Sequence, residues 1–429
     1  MPNSYVSPWI LIGAGIIALA CLVVGFHFYR RRRLIDDTPT SKTQGVFIGL
    51  SELKGTAETE APLQSYLAAV RSVWYRYRVE EHYVRTSVDA KGRPTTHSGW
   101  ENVARGSKSV PVFLKDDTGV IRVLPEGAEV HGREVFKKEV KRDDPLYYGK
   151  GPDRSISGST HRRRFIEEAI CLHDTIYVIG QARVRTDAVA AEIAASKGSL
   201  FIVSVHSEKK HSDMFRVWYW VWLGIGLVAT MAGSGVYFSQ ASPGSSVAVP
   251  IVVAGLVYAL ATLIGWVWTA YNSLVNLRAR VCQGFSQIDV ELKRRADLIP
   301  NLVAAVEGYR SHESGLQQMV AELRSQQTLT MDTRDGELKG VAARLTIIAE
   351  KYPSLKASES FLALQKSLSE TEQRLALARD YYNSIATFYR TRLEIFPDGV
   401  LGRLLGFKPM DLLEAATFER APVEVNLAS

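Results

Sequence analysis

Three stretches of this chain are almost free of charge, and the rest alternates apolar with polar positions in two rhythms. The uncharged runs are Pro8 to Tyr29, Val217 to Phe238 and Val247 to Trp268. Each is about 20 residues long, enough for a helix to cross ~30 Å of hydrocarbon. Three transmembrane helices are therefore predicted. No Asp, Glu, Lys or Arg lies inside any run, which argues against an ion or proton pathway through them. Gly255 and Ala259 stand four apart, as do Ala261 and Gly265, the small-residue spacing that lets membrane helices pack closely.

Between the first and second runs the rhythm has a period of two. From Val73, in VWYRYRVEEHYV, Tyr75, Tyr77 and Val79 fall on one side and Arg76, Arg78 and Glu80 on the other. VPVFLKDDTGVIRVLP, from Val110, reads as a hairpin that turns at Asp116, Asp117, Thr118 and Gly119. The paired acids there read as solvated turn residues rather than an acid–base pair. DTIYVIGQARV, from Asp174, reads as a strand with Gly180 as a bulge or turn, and LFIVSVHS, from Leu200, closes the set. Short strands joined by turns predict a small β-barrel or sandwich. KRDDPLYYGKGPDRS, from Lys141, combines Pro, Gly and charge and reads as an exposed, mobile loop.

After the third run the period changes to three and four. Leu274, Leu277, Val281, Phe285, Ile288 and Leu292 form one apolar stripe, and Leu338, Val341, Leu345 and Ile348 another. The longest stripe runs through Phe361, Leu364, Leu368, Thr371, Leu375, Ala378, Tyr382, Ile385 and Tyr389. Strict 3–4 alternation over four heptads predicts long helices packed side by side in a bundle. Thr371 is the polar member of the stripe; it either sets the register of the pairing or bonds its hydroxyl to its own helix, the second being preferred. In SQIDVELKRRADLIPNLV, from Ser286, three pairs of opposite charge stand four apart: Asp289–Lys293, Glu291–Arg295 and Lys293–Asp297. On a helix surface each is worth about 0.2–0.5 kcal/mol, so the segment reads as a charged, rigid connector between membrane and bundle. Pro300 either kinks that helix or sits in the first turn of a new one capped by Asp297.

The formal net charge is +7. Arg30, Arg31, Arg32 and Arg33 directly follow the first apolar run, and such clusters mark the cytoplasmic side of a span. The short uncharged loop between the second and third runs suits the opposite side. The predicted topology places the N-terminus outside and everything between Arg30 and the second run, and after Tyr271, in the cytoplasm. With the excess charge assigned to topology and no aromatic–basic motif in view, nucleic-acid binding is not expected. VLGRLLGFKPMDLL, from Val400, either lies on the bilayer or docks on the bundle, the second being preferred.

The three cysteines, Cys21, Cys171 and Cys282, are far apart, so neither a disulfide framework nor a zinc cluster is expected. His312 lacks the second histidine of a zincin motif. With no G-x-S-x-G, P-loop or H-E-x-x-H, no catalytic, cofactor or metal residues are assigned, and the chain is not expected to be an enzyme.

Two resemblances add to this reading. DTPTSKTQGVFIGLSELKGTA, PLQSYLAAVRSVWYRYRVEE and PVFLKDDTGVIRVLPEGAEV resemble the GIDE-type domain of membrane-anchored ubiquitin ligases. That resemblance implies a membrane-adjacent β domain. The ligase activity of those proteins resides in a separate RING module, whose Cys/His array is missing here. YNSLVNLRARV, QIDVELKRRADLIPNLVAAVEGY, EKYPSLKASESF, TEQRLALARDYYN and FP resemble the LemA family in order and spacing. Asp289, Leu292, Lys293, Arg294, Arg295, Asp297, Pro300 and Asn301 carry its densest motif. The resemblance implies a bacterial membrane protein with a helical-bundle domain and structural or regulatory roles in envelope or membrane stress, in some bacteria near a membrane metalloprotease.

The expected fold is thus an α+β membrane protein with three transmembrane helices, a small barrel-like GIDE-type domain and a C-terminal antiparallel long-helix bundle of LemA type. Its divisions are residues 1–33 (anchor), 34–213 (β domain), 214–270 (transmembrane hairpin), 271–397 (bundle) and 398–429 (tail). The expected function is a non-enzymatic, self-assembling scaffold of the bacterial inner membrane, with the lipid bilayer and copies of itself as partners. The alternative is an adaptor or regulator of a membrane protease, an envelope-stress protein or a signalling partner, and, ranked after it, a ubiquitin-ligase-like enzyme.

Overall fold

A computed structural model describes residues 8–88, 93–185, 191–242, 244–307 and 359–413. The chain divides into two compact units, Met1–Ala259 and Leu260–Ser429, and the division falls inside one long helix. The stripe from Leu338 to Ile348 and His312 lie outside the described residues.

In the first unit, helix α1 (Trp9–Asp36) carries the first apolar run and α3 (Glu208–Ala241) the second. Helix α4 (Ala248–Glu307) begins in the third. All three are long and apolar enough to cross a membrane. Ala18, Cys21, Gly25 and Tyr29 bury one face of α1, and Tyr219, Leu223 and Gly226 bury one face of α3. Both sets follow the 3–4 spacing of a single helix face. The opposite faces expose Ile16, Leu19, Val23, Trp220 and Val228, as apolar solvent would require. Small residues at the contact let backbones approach. A Cβ at Gly226 would lie 2.3 Å from the Tyr258 hydroxyl of α4 and 3.0 Å from Cys21 Cβ. That hydroxyl donates to Leu223 O at 3.1 Å, so one glycine is the meeting point of three helices. Of the small residues singled out by spacing, Gly255 has room to spare, since an added Cβ would make only ordinary contact with Met231 and Leu227, and Ala259 is exposed. Ala261 and Gly265 are half-buried. The closest approach is made by residues that the four-residue spacing did not select.

Between α1 and α3 the chain forms two sheets. Strands β2 (Gly49–Glu58), β6 (Val112–Lys115), β7 (Val120–Val123), β12 (Ala191–Ala194) and β11 (Thr175–Val184) pair in a ring, because β11 returns to pair with β2. This is the barrel, filled by Leu53, Val112, Leu114, Ile121, Ile176, Val178 and Ile193. β1 (Thr40–Ser41) pairs with β2, while β13 (Ile202–Ser204) pairs with β11 and β8 (Glu129–His131). The expected hairpin is β6–β7. Gly180 is neither bulge nor turn: β11 runs straight through it, and a Cβ there would lie 2.6 Å from the Phe201 ring. The second sheet is antiparallel in the order β5 (Pro94–Ser109), β4 (Arg71–Val88), β10 (Ser159–Cys171), β9 (Arg133–Lys141), with β3 (Leu63–Gln64) also on β4. The alternation read from Val73 holds: Tyr75 and Val79 are buried while Arg76 and Arg78 are exposed.

The segment from Lys141, expected as a mobile loop, is fastened. It contains a short helix, α2 (Leu146–Gly149), whose Tyr147 is fully buried. Arg163, also fully buried, donates to the carbonyls of Tyr147 and Pro152, each at 2.7 Å, and of Arg154 at 3.1 Å. Its charge is met by Glu81 at 3.0 Å, which also accepts from the Tyr147 hydroxyl at 2.9 Å. A buried guanidinium that spends its donors on loop carbonyls overrides local composition.

In the second unit, α4 continues unbroken through Pro300, which is exposed on its outer side. At 1.5 Å per residue it is ~90 Å long. Helix α5 (Glu359–Glu394) runs back along it. Ser273 meets Arg392, Gly284 meets Tyr381, Phe285 meets Tyr382 and Arg295 meets Glu372, so the contacts step in opposite directions along the two helices. The described residues thus form an antiparallel pair. Phe361, Leu368, Thr371, Leu375, Ala378, Tyr382 and Ile385 are buried, and Leu364 half-buried. The Thr371 hydroxyl donates to Ser367 O at 2.8 Å, within its own helix.

Replacing Gly226 by Leu is expected to cost about 1–3 kcal/mol through overpacking. Gly224→Leu, with nothing within 4 Å, should be near neutral. Denaturant unfolding in mixed micelles would compare the two; equal effects would refute the three-helix contact.

Candidate functional site: buried charges where the apolar helices end

Charged side chains enter the interior where the apolar helices hand over to the rest of the chain. In the first unit, α1 passes into β1 and β13 passes into α3 within a few residues. Ile35, Tyr177, Ile179, Leu200, Ile202 and Phe215 form one core across this handover. The arginine cluster takes part: Arg31 pairs with Glu129 and lies over the Phe215 ring, Arg32 pairs with Asp36 at 3.1 Å, and Arg33 donates to the Tyr29 hydroxyl at 2.7 Å. Arg30 is exposed. Asp36, the last residue of α1, accepts from the Ser212 hydroxyl of α3 at 2.6 Å.

Glu52 of β2 is fully buried within this handover. Its carboxylate accepts from the Thr40 hydroxyl at 2.5 Å and the Tyr177 hydroxyl at 3.0 Å. Lys54 lies 3.4 Å from it and 3.0 Å from Glu208, the first residue of α3. Burial pushes the Glu52 carboxyl up to about 7, and nearby Glu208 adds to this, against the hydrogen bond from Thr40 and the charge of Lys54. Beside it His211 contacts the Ser204 hydroxyl at 2.9 Å, with the His131 ring centroid 5.0 Å away.

Two further carboxylates of this unit, buried Glu167 and half-buried Asp116, are held by several hydrogen bonds each. Glu167 accepts from the Ser65 hydroxyl at 2.9 Å and from the backbone N–H groups of Tyr66 and Ala68 at 2.8 Å, which shapes the turn before β4. Asp116 is not simply solvated. Burial would raise its carboxyl, but hydrogen bonds from Thr43 and Thr118 hold it below the usual range and tie the β6–β7 turn to the segment after β1. Among the described residues, no group of three His, Cys, Asp or Glu side chains could hold a metal ion.

In the second unit the connector segment differs from a surface lattice of ion pairs. Asp289, Lys293, Arg294, Asp297 and Asn301 are exposed, but Glu291 and Arg295 are buried. Arg295 reaches across to Glu372 of α5 at 3.7 Å. The buried stripe is Leu274, Leu277, Val281, Gly284, Ile288, Glu291, Arg295, Ile299 and Leu302. Phe285 is exposed and Leu292 half-buried. Choosing the nearest apolar residue at each turn missed Gly284, which the Tyr381 ring covers, and the two charges. Beyond α5, Arg392 forms a buried ion pair with Asp398 at 2.6 Å, which opens helix α6 (Asp398–Leu404). The following segment returns along α5. Asp411 O accepts from the Tyr382 hydroxyl, and the Asn383 amide both donates to Leu413 O and accepts from Leu413 N, each at 2.8 Å.

With Glu52 raised in the folded state, that state holds a proton which the unfolded chain releases between pH 4.5 and about 7. Folding stability therefore falls as pH rises through that window. Glu52→Gln should raise the thermal midpoint above about pH 7 and leave it unchanged below pH 4.5. A uniform shift at all pH values would contradict this. Arg295→Ala, which strands Glu372 in the seam, should cost about 3 kcal/mol, and a paired apolar replacement of Arg295 and Glu372 should restore most of it. Denaturant titration of the four-member mutant cycle checks this.

Comparison with known proteins matches two regions. The LemA family model matches residues 284–427. The GIDE model, described as E3 ubiquitin ligase, matches residues 80–235. Protein LemA of Metamycoplasma hominis is 24% identical over 161 residues, 36% of this chain and 74% of that protein. Magnetosome protein MamQ 2 of Paramagnetospirillum magneticum is 27% identical over 89 residues, 21% of this chain and 33% of its own length. Magnetosome protein MamQ of Magnetospirillum gryphiswaldense is 29% identical over 77 residues, 18% of this chain and 28% of its own. The chain thus spans a third or less of these two magnetosome proteins. The antiparallel helix pair with its charged seam lies largely in a LemA-family segment, and much of the β domain with α3 lies in a GIDE segment, joined in one chain.

Proposed function

We propose that this chain is a non-enzymatic integral membrane scaffold that holds two folded modules against one face of a bilayer and associates with copies of itself. The observation that carries this reading is continuity. The membrane-length helices α1 and α3 share a buried core with the barrel, and α4 runs without a break from the third apolar run into the helix pair. Among the described residues, the barrel joins α1 and α3 through a packed core and the helix pair begins in α4 itself, so each is positioned by its membrane-length helix. The arginines after α1 support a cytoplasmic location for the β domain. The bacterial inner membrane as the site of action and envelope or membrane stress as the setting are part of this proposal and rest on the resemblance to the LemA family alone.

The alternative, an adaptor for a membrane protease or signalling partner, draws on the same family context. The GIDE match favours a ligase-like reading over any other enzyme class. Mass photometry of the protein in native-membrane particles should show a species larger than one chain. A strictly monomeric population that co-purifies a protease would favour the adaptor, and stoichiometric zinc with autoubiquitination would favour the ligase. Protease added outside sealed spheroplasts should leave the β domain uncut; cleavage there would overturn the orientation.

A further inference from the structure

The corner between α5 and α6 presents apolar side chains to solvent. Phe396 is 81% exposed and Leu404 79%, with Ile395, Val400 and Leu405 also exposed. A cluster of this kind marks a protein or membrane contact. Two contacts set its height along α4. The Phe407 ring lies edge-on to Tyr271 at 6.0 Å, and Arg392 donates to the Ser273 hydroxyl at 3.5 Å. Tyr271 is three residues beyond Trp268, ~4.5 Å further along the helix. Trp268 ends the uncharged run and is 72% exposed. Trp and Tyr at the end of such a run mark the headgroup level. The apolar corner is therefore held at the depth where α4 leaves its apolar solvent. Arg403 and Lys408 are exposed on the same segment, with stems long enough to reach headgroups.

We propose that this corner is an interfacial foot, inserting Phe396 and Leu404 at the headgroup–acyl boundary of the bilayer that α4 crosses. Its shape is set without lipid. The Arg392–Asp398 ion pair closes the turn, and Gly399 and Gly402 lie so close to Leu393 that a Cβ on either would approach it to 2.7 Å. The foot makes the end of α5 a second attachment point, so that the helix pair is held to the membrane at two places rather than one.

The inference rests on the reading that α4 spans a bilayer, and the test separates the two. Nitroxide labels are placed on the full chain in phosphatidylcholine–phosphatidylglycerol nanodiscs, at Leu404→Cys or Phe396→Cys in a Cys282→Ser background. Cys21 and Cys171 are buried. Ile264→Cys, exposed within the apolar run, is the lipid reference, and Asp380→Cys, exposed on α5, the water reference. Labels at 396 and 404 should show an oxygen-to-nickel accessibility ratio several-fold above that at 380. A ratio equal to that at 380 overturns the foot while leaving the span intact. Protection from both reagents also overturns it, since a second copy or another segment would then cover the corner. A water-like ratio at 264 removes the spanning reading, and the foot with it.

Discussion

Hydrocarbon offers a backbone no hydrogen-bonding partner, so the uncharged runs must be helical along their length, and the chain regains other conformations only where it leaves them. Much of this structure follows from what happens at those exits. A sheet placed next to an apolar helix needs its first strand aligned within a few residues. A loose linker would leave the strand edge and the helix end to be satisfied by water, without fixing one relative to the other. At the exit of α1 the chain solves this with a shared core under polar ties: Ile35, Phe215 and Ile202 pack together, while Asp36 accepts from Ser212 and Arg31 meets Glu129. The helix ends and the barrel wall become one packed body.

The same exit explains why a carboxylate is tolerated in the interior. Glu52 faces Thr40 after α1, Tyr177 on β11 and, through Lys54, Glu208 at the start of α3. Directly or through Lys54, it links β1, β2, β11 and the start of α3. An apolar residue would fill the volume but would leave the Tyr177 hydroxyl without an acceptor and Lys54 with one carboxylate fewer. The cost of burial shows in its raised pKa, and the benefit is geometric.

What was legible in the sequence was what depends on near neighbours. The three apolar runs, the β6–β7 hairpin, the alternation along β4 and the stripe of α5 are all properties of contiguous residues, and each is found where the pattern put it. What escaped depends on distant partners. Arg163 and Glu81 are 82 positions apart, and nothing local to the segment from Lys141 says that a buried guanidinium will collect its carbonyls. Gly180 reads as a turn until Phe201 is placed over it, and Gly226 reads as any membrane glycine until Tyr258 arrives from another helix. Glu291 and Arg295 look like one of three pairs in a surface ion-pair lattice because a helix wheel cannot say which polar residues a partner will cover.

That last misreading bears on why the helix pair holds one alignment. A seam of apolar side chains alone changes little when one helix slides by a heptad, because another apolar residue replaces the one displaced. Arg295 removes that freedom. In the observed alignment it faces Glu372. Sliding α5 by seven residues one way would bring Arg379 opposite it, placing two guanidinium groups in a half-buried site. Sliding the other way would offer Gln365, which carries no charge to offset the desolvation of Arg295. Gly284 packs beneath the Tyr381 ring, which a Cβ there would meet at an ordinary contact distance of 3.5 Å. The alignment in turn brings Arg392 beside Ser273 and so fixes how far the end of α5 stands from the apolar part of α4. A charge in the middle of the seam thus controls the position of a turn some twenty residues away on each helix, and the stiffness of two long helices carries that control without any contact between the two places.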